Sequence, residues 1–342
     1  MQPSRYTRRV NHGQSDTGRD PTHTEPKRMT VDRTGLLAAS VAVVLWGVFP
    51  VYWKWLAHVD AVEVLMHRNV WCVVSLLGVV LVSLRRRSAV WTALRSGRQL
   101  ALHALAGSLV GFNWGLYIWS VANDRVVEAS LGYFIAPLCS VALGALVLGE
   151  RLDRAQRFAV LLAALGVLTI GVGGRTVPWI GLGLGLSFAS YGLLRKRAPT
   201  GPVAGLFLET LTLVPVSLAW LLHLAVRDLQ HFGTGSLGTD ALLVGGGLVT
   251  AVPLLLYGIG ARGLPLSVLG LLFYITPSLQ FLIGWLVYAE PISGAHWLGF
   301  GAIWLGLAVY SVATHRGLQP QGLSATGAIS ASEGMCSSSE RV

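Results

Sequence analysis

The sequence predicts an all-α integral membrane protein with ten transmembrane helices arranged as two inverted five-helix repeats. Three observations lead there. The composition is too apolar for a water-exposed surface, the apolar residues fall into ten runs near membrane-crossing length, and one segment recurs five runs later. Of 342 residues, 53% are hydrophobic and 12% charged, against about 25% charged for a soluble domain. A helix crosses the hydrocarbon core in about 20 apolar residues. The 41 glycines suit helices that approach closely in lipid, where small residues form the contacts.

In chain order the runs are 35–56, 62–84, 100–120, 128–149, 156–174, 177–196, 203–226, 241–261, 265–289 and 294–314. Residues 1–33 are rich in Arg, Asp and Thr and too polar for a signal peptide. They read as a disordered cytoplasmic tail, as do residues 315–342 with their Ser and Gly. Residues 34–174 form the first five-helix repeat and 175–314 the second.

The breaks between runs alternate in charge. Those after runs 2, 4, 6 and 8 hold Arg85, Arg86, Arg87, Arg95, Arg98, Arg151, Arg154, Arg157, Arg195, Lys196, Arg197 and Arg262. The others hold only Arg125, Arg175 and Arg227. Basic residues collect on the cytoplasmic side, so both termini are expected there. The same bias accounts for the net charge of +10 without nucleic acid as a partner. Expected partners are a small-molecule substrate and membrane lipids, with a homodimer allowed. Cys72, Cys139 and Cys336 are scattered, giving no disulfide framework and no metal spacing. No cofactor and no metal is expected.

The recurring segment is "YFIAPLCSVALGALVLGE" at 133–150 and "FYITPSLQFLIGWLVYAE" at 273–290. Pro137 matches Pro277, Gly144 matches Gly284 and Glu150 matches Glu290. Gly107 and Tyr117 of run 3 fall on Gly247 and Tyr257 of run 8, and Trp46–Gly47 answers Tyr191–Gly192. Five runs per half is an odd number, so the second half enters from the opposite side. Halves related by an axis in the membrane plane can open a central site to either side in turn; as an argument from fold, this raises the prior for transport only.

Charged or polar groups inside a span cost several kcal/mol unless they face a cavity or a partner. Arg68 in "EVLMHRNVW" is the foremost, always charged and forked to suit carboxylate or phosphate; the alternative is an Arg bonded to helix carbonyls. Lys54 lies near a span end, where it could also snorkel. Asn113 and Trp114 in "GFNWGLY", with Tyr133 and Tyr274 before the two prolines, are candidate lining groups, simple helix packing being the alternative. Pro137 and Pro277 are expected to kink their helices.

Glu209 and His67 are proton-coupling candidates, against capping of Glu209 by Thr210 or Thr212 and a hydrogen-bonded structural His67. Glu209 aligns with Arg68 across the repeat, but inversion puts them at opposite depths, about 15 Å apart at a rise of about 1.5 Å per residue. A direct bond is not expected. Glu63 and His67 at i, i+4 make no metal site without further ligands.

The stretches "WGVFPVYWKWL", "EVLMHRNVW", "FNWGLYIWSV", "EASLGYFIAPL", "LGERLDRAQRFAV", "SFASYGLLRK", "LET" and "YITPSLQFL" resemble, in order, the RarD-type proteins. Those belong to the EamA branch of the drug/metabolite transporter (DMT) superfamily. The resemblance covers 35–314 and departs mainly at the tails. It implies a ten-helix inner-membrane secondary transporter with the EamA/DMT fold.

The functional expectation is a secondary transporter of a small organic solute, drug or metabolite, working by alternating access and coupled to protons. Arg68, Lys54, Asn113, Trp114, Tyr133 and Tyr274 would bind the solute in the cell membrane. One alternative is a receptor or scaffold that moves nothing. Another is a membrane-embedded enzyme, for which no nucleophile, metal cluster or paired acids stand at motif spacing. A phosphate-cradling Gly-x-x-x-x-Gly-Lys-Ser/Thr is also missing, so no catalytic residue is assigned.

Overall fold

A computed structural model describes residues 33–149, 153–175, 177–264 and 266–318. All regular structure among the described residues is helical. The two tails, apart from their innermost residues, and Glu150 lie outside them.

The first run is two helices, α1 (Arg33–Gly47) and α2 (Phe49–Lys54), because Pro50 sits at the start of α2. Proline has no N–H for the carbonyl four residues back, here that of Trp46. Helix α3 (Ala61–Leu81) starts at Asp60, whose carboxylate accepts from the Val62 and Glu63 N–H groups. A short basic helix not foreseen as an element, α4 (Leu84–Leu94), is capped by Ser83. Ser96 caps α5 (Gly97–Ala122). Helix α6 (Val126–Leu148) ends at Gly149, which takes the left-handed conformation that favours glycine. Asp153 and Gln156 close a capping box on α7 (Arg154–Gly174).

Helices α8 (Trp179–Arg197), α9 (Pro202–Val226) and α10 (Leu237–Gly263) follow. The ninth run is not one helix. It divides into α11 (Leu266–Phe273), α12 (Ile275–Leu282) and a π-helical stretch over Ile283–Val287. The break falls at Tyr274, beside the Phe273 carbonyl that Pro277 cannot satisfy. In the first copy, Pro137 lies inside an unbroken α6. The last helix, α13 (Gly294–Leu318), runs four residues past the expected end of its run.

Among the described residues, seven segments are long and apolar enough to cross a membrane: α1 with α2, α3, α6, α7, α9, α10 and α13. The remaining runs are α5, α8 and the divided ninth. The first two are diluted by Asn113, Trp114, Tyr117, Ser187, Tyr191 and Arg195.

Pairwise packing closes a ring of eight helices, in the order α1, α10, α3, α9, α5, α8, α6, α12 and back to α1. Helices α7 and α13 pair with each other and rest on α6. Two crossings in the ring are closest at glycines. A Cβ on Gly107 of α5 would strike the Glu209 carbonyl of α9, and one on Gly247 of α10 would strike the Trp71 backbone of α3. Large apolar side chains such as Leu37, Val74, Leu165 and Leu248 are left exposed, which lipid tolerates and water would not.

Candidate functional site

Inside the ring lies a cavity of about 760 Å³, within the usual range for small-molecule sites. Every ring helix contributes to its wall: Trp46, Arg68, Val110, Tyr133, Phe188, Leu206, Thr250 and Gln280 are one from each. The wall is strongly aromatic, with Phe49, Trp114, Tyr117, Tyr191, Tyr257, Phe273, Tyr274 and Tyr310 added.

Arg68 is the cationic side chain among the described lining residues, and no Asp or Glu accompanies it. The Asp60 cap starts α3 so that Arg68 falls two turns into the helix and inside the ring. Its Nε donates to Thr250 Oγ1 at 2.9 Å, and Thr250 is itself fixed by donating to the Gly246 carbonyl. The guanidinium lies 4.0 Å from the Trp114 ring centroid and 5.0 Å from that of Trp53. Such cation–π contacts offset part of the cost of burying charge. No carboxylate among the described residues comes within 4 Å of Arg68. The guanidinium is held, stacked and, among the described residues, without a counter-ion.

Asn113 also lines the cavity, but its groups are committed. Its Nδ2 donates to the Leu184 carbonyl and Ser187 Oγ at 3.0 and 2.9 Å, and its Oδ1 accepts from the Tyr133 hydroxyl at 3.0 Å. It ties α5 to α8 and orients Tyr133. Across the cavity, Gln280 Nε2 donates to the Trp46 carbonyl at 3.1 Å, the group freed by Pro50. The buried Gln280 Oε1 completes no hydrogen bond. Buried polar atoms are seldom left so.

Of the residues expected at a site, Arg68, Asn113, Trp114, Tyr133, Tyr274 and Pro137 meet at this cavity. Pro277 is buried within α12 and off the wall. Lys54 stands elsewhere, paired with Asp124 at 2.6 Å and donating to the Val121 carbonyl. His67 packs its ring 4.8 Å from that of Phe232, off the cavity wall. Its neighbour Glu63 accepts from the His231 backbone N–H at 2.7 Å and lies 2.8 Å from its Nδ1.

Glu209 is fully buried, and the partners of its carboxylate are neither Arg68 nor the flanking threonines, whose hydroxyls donate to backbone carbonyls. Arg195 Nη1 donates to it at 3.1 Å and the Tyr191 hydroxyl at 2.9 Å. His103 Nδ1 lies 3.5 Å away. Thr200 bridges Arg195 and the Nε2 face of His103. Tyr191 also lines the cavity, so one side chain links the buried carboxylate to the cavity wall.

Sequence reasoning missed Tyr191, Arg195, His103, Thr250 and Gln280 as site residues. Arg195 looked like a loop charge. Two signals were present unrecognised: Trp46 with Tyr191, and Tyr117 with Tyr257, are the repeat matches, and all four line the cavity.

At the other end of the second copy, the Glu290 carboxylate accepts from the Val126 and Val127 N–H groups at 2.6 and 2.7 Å. It thereby caps α6 from across the molecule. Burial pushes its carboxyl above the ordinary value, and the two backbone N–H groups pull it back.

Residues 33–172 match the EamA-like transporter family. The chain is 46% identical to Protein RarD of Streptomyces exfoliatus, over 81% of this chain and 88% of that one. It is 41% identical to the uncharacterized transporter YojE of Bacillus subtilis, over 84% and 95% of the two chains. A protein of Pseudomonas aeruginosa named chloramphenicol-sensitive protein RarD is 31% identical over 86% and 98%. A solved crystal structure at 21% identity covers 84% of this chain and 99% of its own with a TM-score of 0.53, a likeness of fold alone.

Proposed function

The chain belongs to the RarD-type proteins of the EamA-like transporter family, and from that premise we propose a secondary transporter that carries a small organic solute by alternating access. It is a multi-pass membrane protein. The observation that carries the mechanism is the aromatic cavity lined by all eight ring helices, with a charged Arg68 on its wall and no Asp or Glu among the described lining residues. An uncompensated intramembrane charge marks a pathway or a binding site far more often than a structural role.

Two five-helix repeats of opposite sense supply the moving parts. The helix contacts support this: exchanging each helix for its counterpart in the other half turns the ring order into its own reverse. The glycine crossings α5–α9 and α3–α10 are exchanged in the same way. In this reading the runs are ten spans, both termini are cytoplasmic, and the membrane is the cell membrane.

Arg68 holds an acceptor group of the solute, and Trp114, Tyr133 and Tyr274 pack against its body. Asn113 acts through Tyr133 and α8. Lys54 serves better as an outer-face pair with Asp124 than as a solute ligand. Glu209 is the proton-coupling group, since it combines full burial, an Arg195 partner and a hydroxyl path through Tyr191 to the cavity. His67, packed against Phe232, is the weaker candidate.

The test is an uptake screen of drugs and metabolites in proteoliposomes, with and without a pH gradient. A solute carried by the wild type and lost with Arg68→Ala is the expected result. Uptake unchanged by Arg68→Ala overturns the site, and binding without flux for every solute overturns transport.

A further inference from the structure

We infer that the cavity selects an aromatic monoanion, a planar apolar body bearing one carboxylate and no ammonium group. This rests on the cavity being the solute site and adds the solute's charge and shape.

The charge follows from the wall. Arg68 is 4% exposed, stacked on two tryptophans and fixed through Nε by Thr250. That arrangement uses the Nε edge and ring contacts of the guanidinium and assigns nothing to the Nη groups. A carboxylate is the partner that two adjacent N–H donors fit best. The open Nη edge of the guanidinium therefore calls for an acceptor.

The missing ammonium follows from what the wall lacks. Among the described lining residues there is no Asp or Glu. The neighbouring carboxylate, Glu209, lies behind Tyr191 and is taken by Arg195. A solute ammonium would enter beside an unneutralised guanidinium and meet repulsion without a counter-charge, which strengthens in a medium of low polarity. A zwitterionic amino acid is therefore disfavoured against the acid that lacks its amine.

The planar body follows from the rings. Phe188 and Phe273 lie stacked at 6.1 Å, and Trp46 sits 5.4 Å from Tyr257 and 6.2 Å from Phe273. These lie on the cavity wall with Tyr133 edge-on to Phe188. Flat faces and edges of this kind pack best against another ring.

The experiment is titration calorimetry on the full chain in lipid nanodiscs, with empty nanodiscs subtracted. Four probes share one ring: trans-cinnamate, its neutral isostere cinnamamide, cinnamylamine and phenylalanine. Cinnamate should bind about tenfold or more tighter than the other three, the scale of one charge-assisted pair. Arg68→Gln should weaken cinnamate binding about tenfold or more and so remove that preference. Equal binding of cinnamate and cinnamamide overturns the inference, as does tighter binding of phenylalanine or cinnamylamine, or no binding by any probe. The wild-type comparison stands even where Arg68→Gln fails to fold. A preference for cinnamate without flux leaves this inference intact and defeats transport; flux of neutral or cationic solutes alone does the reverse.

Discussion

At the scale of single residues, the two buried charges differ in whether the protein completes them. Glu209 has Arg195, Tyr191 and His103 around it; Arg68 has a hydroxyl and two indole faces. Removing one partner of a buried pair strands the other, at a cost of about 3–5 kcal/mol. Glu209→Ala should therefore lower the thermal unfolding midpoint in detergent markedly. Glu209→Gln keeps an acceptor for Tyr191 and should lower it much less, while abolishing any response of uptake to a pH gradient. Arg68→Lys should fail to restore uptake, because a point charge lacks the planar fork and the stacking surface. Arg68 was legible because an Arg inside an apolar run is rare and has a restricted set of uses. The partners of Glu209 were not: Arg195 and His103 lie 14 and 106 positions away, and only folding brings them together. Lys54 misled for a related reason, since nothing in the sequence announces Asp124 as its partner.

At the scale of elements, prolines decide where backbone groups go unmatched, and long-range side chains then answer them. Pro50 frees the Trp46 carbonyl and Gln280 takes it up. Gln280→Ala should cost about 1 kcal/mol, the net worth of one hydrogen bond, and chemical denaturation in mixed micelles would measure it. Glu290 performs the corresponding service for the N–H groups that begin α6. Glu290→Ala should cost about 1–2 kcal/mol, as loss of a helix N-cap does. The sign of its pH dependence follows from burial. Because the folded carboxyl titrates above its ordinary value, its contribution is greatest below the unfolded range. It declines as pH rises through the raised folded value. Glu290→Gln should flatten that decline in a series of unfolding midpoints. Long apolar helices were readable from hydropathy alone. The division of the ninth run was not, because Pro137 and Pro277 look alike in sequence, yet α6 continues through its proline and the second copy breaks at Tyr274.

At the scale of the whole molecule, the proposed inversion ties distant positions to one another, so it can be tested by pairs. Gly107 and Gly247 are repeat partners at two close ring crossings between the halves, each against backbone of the facing helix. A methyl there must part the helices, at a cost of about 1–3 kcal/mol for an overpacked contact. Gly107→Ala and Gly247→Ala should therefore destabilise alike. Gly78, with nothing within 4 Å, should tolerate alanine or gain slightly. Sidedness gives the stronger test. Cys72 and Cys139 are the free thiols among the described residues; with all three native cysteines replaced, a single cysteine can report access. Placed at Ser88 on α4 or at Asp153 before α7, it should react with a membrane-impermeant maleimide only after the cytoplasmic face is opened. Placed at Thr234 between α9 and α10, or at Ser293 before α13, it should react in intact cells. Asp153 and Ser293 stand at offset 140, as do Glu150 and Glu290, so the comparison bears on the duplicated segment itself. Opposite faces for that pair are what two halves of opposite sense require. If both label from one side, the exchange of helices seen in the ring contacts does not reflect inversion, and alternating access loses its structural basis.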